Sequence, residues 1–182
     1  MTRDKIKIVV FGARHTGQGP LGRAWGKTDA DLPDLQPVVI YEREVEVDGK
    51  KRIVAAWILS LDPQFEYMRK SMFMEADAFI YTFDIMDITG KSLAYLEPHV
   101  GEVRAMYPHG IPEILVGAHP DPTITAKPDK TNALVRAWLA GHGNIPLFEL
   151  DMTNKKKFFE DAEAIFARVL ELLPSKKTER KP

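Results

Sequence analysis

A glycine-bearing segment near the start of the chain has the residue types and spacing of a loop that binds phosphate. Gly12 and Gly17 follow the apolar run Ile6–Phe11 with the spacing of the motif GxxxxGK[ST]. In that motif, backbone N–H groups surround the phosphates, a lysine neutralises their charge, and a Ser or Thr hydroxyl holds Mg²⁺. Here Gln18 and Gly19 occupy the last two positions, so the positive charge and the metal ligand are both missing.

Two interpretations of this loop stay open at the level of sequence. In the first, the loop is a modified phosphate site in which Arg14 and His15 supply the positive charge. In the second, the glycines serve only a tight turn from strand to helix, which needs their backbone freedom. The candidate phosphate-contacting residues are Gly12, Arg14, His15, Thr16, Gly17, Gln18 and Gly19.

The elements that would position this loop follow from the hydrophobic pattern. Short β-branched runs alternate with longer amphipathic stretches, which predicts an α/β fold with helices covering a mostly parallel sheet. The dipeptide Asp48-Gly49 predicts a two-residue hairpin turn, because both residues tolerate positive φ. The predicted strands are Ile6–Phe11, Val38–Val47, Arg52–Leu59, Ala78–Asp84, Ile114–Ala118 and Ile145–Leu150. Helices are predicted from Pro20, within Ser60–Glu75, through Leu93–Met106, over Lys130–His142 and over Lys155–Leu173.

Composition limits the classes of function. The 182 residues are 45% hydrophobic, which predicts one domain over residues 1–174 and a basic flexible tail over 175–182. Because 25 Lys+Arg face 26 Asp+Glu, nucleic acid is not an expected partner. The absence of cysteine excludes thiol chemistry and fits a cytoplasmic location. With no long apolar stretch near the start, no glycine after Met1 and no CaaX box, we expect neither membrane insertion nor a lipid anchor.

Several of these segments together resemble the Ras-like small GTPase family from Lys5 to Leu173. The similar segments are KIKIVVFG before the loop, the Asp48-Gly49 hairpin, ADAFIYTFD at 76–84, ILVGAHPD at 114–121 and PLFELDMT at 146–153. The resemblance implies a three-layer αβα fold of the P-loop NTPase type. It also implies a six-stranded, mostly parallel sheet with one antiparallel edge strand, and about five helices.

The resemblance also implies which residues would contact a guanine base. The family motif NKxD reads the base through its Asp, which corresponds to Asp121, but Ala118 and His119 replace the Asn and the Lys. Where the family has [ST]AK, this chain has Asp151–Thr153, so only a backbone N–H could meet the guanine carbonyl. The candidate base-binding residues are His119, Asp121 and Met152.

The metal-binding and water-positioning motif DxxGQ is also altered. An ungapped alignment places Ile58 at the Asp, Leu61 at the Gly and Asp62 at the Gln, whereas a gapped alignment places Asp62 at the Asp. No threonine lies near Leu35–Pro37, where the family has a Mg²⁺ ligand. Asp62 is therefore the one candidate metal ligand, and we assign no catalytic residue.

These changes predict weak or lost nucleotide binding. Charge-assisted hydrogen bonds contribute roughly 1.5–3 kcal/mol each, so losing about four would cost roughly 6–12 kcal/mol, or about four to nine decades of affinity. We expect a protein-interaction or regulatory scaffold that requires no cofactor and does not hydrolyse GTP. The alternative is an atypical switch that binds GDP or GTP through Arg14, His15 and Asp121, with weak or no Mg²⁺ dependence. A third hypothesis is an enzyme that binds a different phosphorylated ligand at Gly12–Gly19.

In the resembled family, partners bind the two switch regions and the edge strand beside them. Ser60–Glu75 is rich in aromatic residues and methionine, as interface cores are. The alternative is a core-facing helical stripe through Phe65, Met68 and Met72. Tyr41–Val47 alternates charged and apolar residues, which is typical of a guarded edge strand or of a docking strand. The candidate partner-surface residues are Tyr41, Phe65, Tyr67, Met68, Phe73 and Met74.

Overall fold

The computed structural model describes residues 5–28, 36–119 and 129–174. Its strands are β1 (Lys5–Gly12), β2 (Val38–Val47), β3 (Lys50–Leu59), β4 (Ala78–Asp84), β5 (Glu113–His119) and β6 (Leu147–Asp151). Its helices are α1 (Gln18–Gly26), α2 (Glu66–Phe73), α3 (Lys91–Met106), α4 (Asp129–Gly141) and α5 (Lys155–Leu172), and a 3₁₀ turn at Pro63–Phe65 precedes α2. The candidate base-binding residue Asp121 and the tail from residue 175 lie outside the described residues.

The six strands form one sheet in the order β2-β3-β1-β4-β5-β6. β2 and β3 pair antiparallel, and the other four neighbouring pairs are parallel. This confirms the predicted α/β fold with a mostly parallel six-stranded sheet, one antiparallel strand at its edge and, within the described residues, five helices. Such a sheet buries its central strands under helices, which explains the apolar runs of β1 and β4.

The strand order determines where a ligand crevice can lie. The chain passes from β1 to β3 on one side of β1 and then to β4 on the other side. In open α/β sheets the crevice lies at the carboxyl ends of the strands, at the point where the order reverses. The loop that follows Gly12 lies at that point.

The core has one apolar cluster on each face of the sheet. One cluster packs α1 and α5 together, with Trp25 and Phe166 stacked at 4.2 Å between ring centroids. The other cluster holds α2, α3 and α4 against the opposite face and includes Phe73, Leu96 and Trp138. Helices therefore cover both faces of the sheet, which makes three layers.

The predicted hairpin turn is confirmed. Asp48 has φ 53° and Gly49 has φ 70°, so both central residues adopt positive φ. A two-residue turn fixes the register, which runs from Val47 opposite Lys50 to Val38 opposite Leu59. The turn residues thereby decide which side chains of β2 and β3 lie next to each other.

Helix α1 lies very close to the edge strand through two glycines. A Cβ atom on Gly22 would lie 2.7 Å from the ring of Tyr41, and one on Gly26 would lie 2.8 Å from it. Tyr41 is consequently only 7% exposed. The prediction that Tyr41 belongs to a partner surface is wrong, because the helix packs directly on its ring.

The loop before α3 contains a carboxylate whose charge supports the fold. Asp87 accepts hydrogen bonds from the N–H of Ser92 at 2.8 Å and from the N–H of Thr89 at 2.9 Å. Burial alone would raise the pKa of Asp87, but these bonds outweigh it and lower the pKa from 3.8 to about 2. The stabilisation is therefore fully present above about pH 4 and is lost as the pH falls through about 2.

We expect Asp87→Ala to lower the free energy of unfolding by about 1–2 kcal/mol at pH 7 and by clearly less at pH 2, where about half of the Asp87 carboxyl is protonated. Urea unfolding of both proteins at the two pH values measures this difference. A destabilisation of equal size at both pH values would contradict the assignment.

Candidate functional site

The glycine loop owes its shape to packing against strand β4. A Cβ atom on Gly12 would lie 2.0 Å from Thr82 Oγ1 and 2.3 Å from the Thr82 carbonyl oxygen. Gly17, which caps α1, has φ 89°, a conformation that L side chains rarely adopt. Both glycines are therefore needed for the close strand-to-loop-to-helix passage, whether or not a ligand binds.

The polar side chains of the loop bond to the loop itself. Thr16 is buried, and its Oγ1 donates to the Ala13 carbonyl oxygen at 2.7 Å and lies 2.8 Å from Thr82 Oγ1. The Gln18 amide nitrogen donates to the same Ala13 oxygen at 3.0 Å, and Gln18 Oε1 lies 3.2 Å from Thr16 Oγ1. Where the phosphate-binding motif has a lysine, this loop has a neutral amide bonded within the loop.

Arg14, the candidate replacement for the missing lysine, forms an ion pair with Asp62. Asp62 lies at the start of the 3₁₀ turn and also accepts a hydrogen bond from the Gln64 N–H at 3.1 Å. The Gln64 N–H and the Arg14 guanidinium hold the pKa of the Asp62 carboxyl below its usual range. The structure thus pairs the proposed phosphate cation with the proposed metal ligand. His15 is exposed and has φ 62°.

A cavity of about 450 Å³ lies between the glycine loop and the segment after β3. The Tyr95 hydroxyl, from α3, donates to the Leu61 carbonyl oxygen at 2.9 Å on one side of it. No group of three His, Asp or Glu side chains that could hold a metal ion occurs among the described residues. The cavity is lined by Gly12, Ala13, Arg14, Gln18, Ser60, Leu61, Asp62, Pro63 and Tyr95.

The candidate base-binding residues His119 and Met152 lie next to each other, beside the glycine loop. His119 ends β5 and is in register with Asp151 of β6. The Met152 N–H donates to the His119 carbonyl oxygen at 3.2 Å, and the Met152 sulfur lies 3.3 Å from the Cβ position on Gly17. The Met152 N–H therefore already has a partner within the protein.

The Asp151 carboxylate, next to His119 and Met152 in the chain fold, also has hydrogen-bond partners within the protein. Its Oδ1 accepts the Thr153 N–H at 2.9 Å and the Thr153 hydroxyl at 2.6 Å. These bonds, with Lys157 and His119 nearby, hold the pKa of Asp151 below its usual range. Asp151 is thus negatively charged at neutral pH, at a position where the resembled family has a neutral Ser or Thr.

The two alignments of the DxxGQ motif differ in what they place at the loop. Ile58 is buried in β3 and would meet a Cβ atom on Gly22 at 2.6 Å, so it belongs to the core. Leu61 is also buried. Asp62 is therefore the only residue of either alignment that brings a charge to the cavity.

The candidate partner residues of α2 divide between core and surface. Phe73 is fully buried, so its assignment to a partner surface is wrong; its ring packs at 5.2 Å from the ring of Phe11. Phe65 is half-buried, and Met68 is half-buried against the core. Tyr67, which is 81% exposed, and Met74, which is 52% exposed, face outward.

Sequence reasoning missed two residues on the sheet near this surface, Ile40, which is exposed, and Trp57, which is half-buried against the core. Ile40, 42% exposed, lies directly opposite Trp57 in the hairpin. Lys7 Nζ lies 3.9 Å from the Trp57 ring centroid and donates to the Met74 carbonyl oxygen at 2.9 Å, so Lys7 bridges Trp57 and the Met74 backbone. We call Ile40, Trp57, Tyr67 and Met74 the apolar strip. The hairpin register alone would have placed Ile40 beside Trp57.

Comparisons with known proteins assign no family to this chain. No protein-family profile matches it, and no curated protein matches it in a sequence search. No helix in the described parts of the chain is both long and apolar enough to cross a bilayer.

Proposed function

We propose that this chain is a divergent small GTPase-like protein that acts as a protein-interaction or regulatory scaffold, with nucleotide binding and hydrolysis weakened or lost. One observation carries the proposal. The polar groups that a phosphate would need at the glycine loop are bonded to the protein, Arg14 to Asp62 and Gln18 to Ala13. A phosphate would have to break these contacts and would still find no lysine and no hydroxyl ligand for Mg²⁺ at the end of the loop.

The architecture supports the relation to small GTPases. The resemblance implied a six-stranded sheet with one antiparallel strand and five helices, and the described residues have this arrangement. The glycine loop lies at the strand-order reversal, where ligands bind in open α/β sheets. In the scaffold hypothesis, the chain keeps the fold of a small GTPase but lacks the charged side chains that would hold a nucleotide.

The apolar strip is the proposed partner-binding surface. Exposed aromatic and methionine side chains are enriched in the centres of protein interfaces. Tyr67 lies in the first turn of α2 and Met74 directly follows the helix, and Lys7 links the Met74 backbone to Trp57. The four residues of the strip thus come from β2, from β3, from the first turn of α2 and from the residue that follows α2.

The second candidate, an atypical nucleotide switch, is favoured by the backbone of the loop. Gly17 and His15 both adopt positive φ immediately before α1, and His15 is exposed. Turns of this kind can direct several N–H groups toward an anion at a helix N-terminus. In this hypothesis, the ion pair between Arg14 and Asp62 must break when a nucleotide binds.

Calorimetric titration of nucleotide-stripped protein with GDP and GTP, with and without Mg²⁺, separates the two candidates. We expect no binding heat at nucleotide concentrations up to the millimolar range, and no nucleotide that co-purifies. Micromolar, guanine-specific binding would contradict the scaffold proposal and would support the switch.

A variant that restores the motif tests whether the loop is a relic phosphate site. We expect Gln18→Lys combined with Gly19→Ser to gain roughly 10- to 100-fold in affinity for pyrophosphate, since one charge-assisted contact contributes roughly 1.5–3 kcal/mol. A Cβ atom on Gly19 would meet only Arg23 Nη1, at 3.6 Å, so the serine fits. Gly19→Ser alone is the matched control. A double variant that folds normally and gains nothing would favour the tight-turn interpretation.

A further inference from the structure

His99 is a titratable side chain that is buried where α3 packs on the sheet near α2. It is 8% exposed, and its ring lies 6.2 Å from the ring of Phe11 in β1 and 5.6 Å from that of Tyr95 in α3. Its Nδ1 atom is buried and has no hydrogen-bond partner among the residues that the structure describes. A group that can take up a proton is thus held where one of its two nitrogens meets no acceptor.

Three charged side chains from α2 and α3 act on the His99 ring. Arg69 and Glu66 come from α2 and Glu102 comes from α3, whereas β1 contributes the uncharged ring of Phe11. Arg69 is buried and donates to the Glu102 carboxylate through two nitrogens, at 3.1 and 3.2 Å. Arg69 Nη2 also lies 3.5 Å from Glu66 Oε1. Both carboxylates are therefore paired with Arg69.

A proton on His99 would be unfavourable in this closed arrangement for two reasons. In the imidazolium both ring nitrogens carry hydrogen, so an Nδ1–H group would be buried without an acceptor. The positive charge would also lie near that of the buried Arg69. Burial, and after it the Arg69 guanidinium, lower the pKa of His99 from its usual 6.5, against the smaller opposite effects of Glu102 and Glu66.

We propose that His99 is an acid-sensitive release for α2, in which protonation of its ring separates α2 from α3 around Arg69. The imidazolium then reaches water and no longer lies beside the guanidinium. The regulatory consequence rests on the proposed function, because Tyr67 of the apolar strip is part of α2. Release of α2 displaces Tyr67 and weakens binding of a partner to the strip in mildly acidic solution.

The pH dependence of the release has a definite sign. Because the pKa of His99 is lowered in the closed form, the open form binds the proton more readily. The closed form is therefore fully favoured above pH 6.5 and loses its advantage as the pH falls below that value. Acid thus opens the contact between α2 and α3, and neutral pH closes it.

The structure indicates that α2 is the helix that moves. α3 has 16 residues and buries Leu96, Val100 and Val103 against the sheet. α2 has eight residues, and the fully buried Phe73 holds its end in the core. The release is therefore expected over residues 66–70, around Arg69, which gives the test a defined location.

Amide hydrogen exchange of the full chain at pH 7.5 and pH 5.0 tests the release. The natural sequence is compared with His99→Gln at each pH, so the intrinsic pH dependence of exchange cancels. We expect the ratio of exchange rates over residues 66–70, natural sequence to variant, to be roughly 3- to 30-fold higher at pH 5.0 than at pH 7.5. The upper limit is that of an ordinary histidine at pH 5.0. A ratio that does not change with pH would overturn the release.

Two further variants show whether the effect comes from His99 beside Arg69. His109→Gln is the matched control, because His109 is an exposed histidine, and it should respond to acid as the natural sequence does. Arg69→Gln removes the cation and leaves Glu66 and Glu102, so it should reduce the acid effect. A loss of the acid effect in His109→Gln, or an undiminished effect in Arg69→Gln, would overturn the assignment.

The natural sequence also allows a test that does not depend on the folding of a variant. The nuclear magnetic resonance signals of the His99 ring should remain mostly those of the neutral form at pH 6.5, where an ordinary histidine is half charged. A charged His99 ring at that pH, with residues 66–70 still protected from exchange, would overturn the release. These assays contain no nucleotide and no partner, so their failure is distinguishable from failure of the scaffold proposal.

Discussion

Gly12→Ala is expected to destabilise the protein by about 3 kcal/mol or more, although it adds a single methyl group. That methyl group would lie 2.0 Å from Thr82 Oγ1, 2.3 Å from the Thr82 carbonyl oxygen and 2.6 Å from Thr16 Oγ1. The side chains could rotate, but the Thr82 backbone is held between β1 and β5 and cannot move away without breaking the sheet.

Urea unfolding monitored by circular dichroism measures the effect of Gly12→Ala. Gly101→Ala is the matched control, because Gly101 lies in α3 with nothing within 4 Å of a Cβ atom. Alanine is the better helix former, so Gly101→Ala should stabilise by about 0.5–1 kcal/mol. If Gly12→Ala destabilised the protein no more than Gly101→Ala, the close approach of Gly12 to Thr82 would not be what makes Gly12 necessary.

Phe73→Ala is expected to cost about 3–5 kcal/mol of the free energy of unfolding, the usual range for truncating a buried aromatic ring. The Phe73 ring is fully buried and lies 5.2 Å from the ring of Phe11 and 5.6 Å from that of Phe79. Its loss would leave a cavity that the sheet, which carries both partner rings, cannot close. Chemical denaturation at 25 °C measures the difference.

Tyr67→Ala is the counterpart on the same helix. Because Tyr67 is exposed, we expect a change in stability within about 0.5 kcal/mol. The pair of variants separates the two roles of α2, since Phe73 supports the fold and Tyr67 belongs to the proposed partner surface. A destabilisation by Tyr67→Ala comparable to that of Phe73→Ala would contradict this division.

The hairpin and the long helices could be predicted because their signals are local. Asp48-Gly49 specifies a two-residue turn, and the register of ten residue pairs follows from it. Phe158, Ala162, Ile165 and Val169 are spaced at three or four residues, which placed α5 within one residue of its observed end.

The orientation of α2 could not be predicted from periodicity. The helix has eight residues, and a 3₁₀ turn precedes it, with three residues per turn rather than 3.6. The change from three to 3.6 residues per turn alters the angles at which side chains leave the helix axis. A single helical pattern applied to Ser60–Glu75 therefore does not predict which side chains face the core. In the structure Phe73 faces the core and Tyr67 faces outward.

Local signals in the chain thus determined the α/β class, the strands, the hairpin register and the loss of the lysine and hydroxyl from the phosphate-binding motif. The tertiary structure decided that Tyr41 lies beneath α1, that Arg14 pairs with Asp62, and that Lys7 bridges Trp57 and the Met74 backbone. The physical reason is distance along the chain. Turn and helix preferences act between residues a few positions apart, whereas these contacts join residues that only the packing of helices on the sheet brings together.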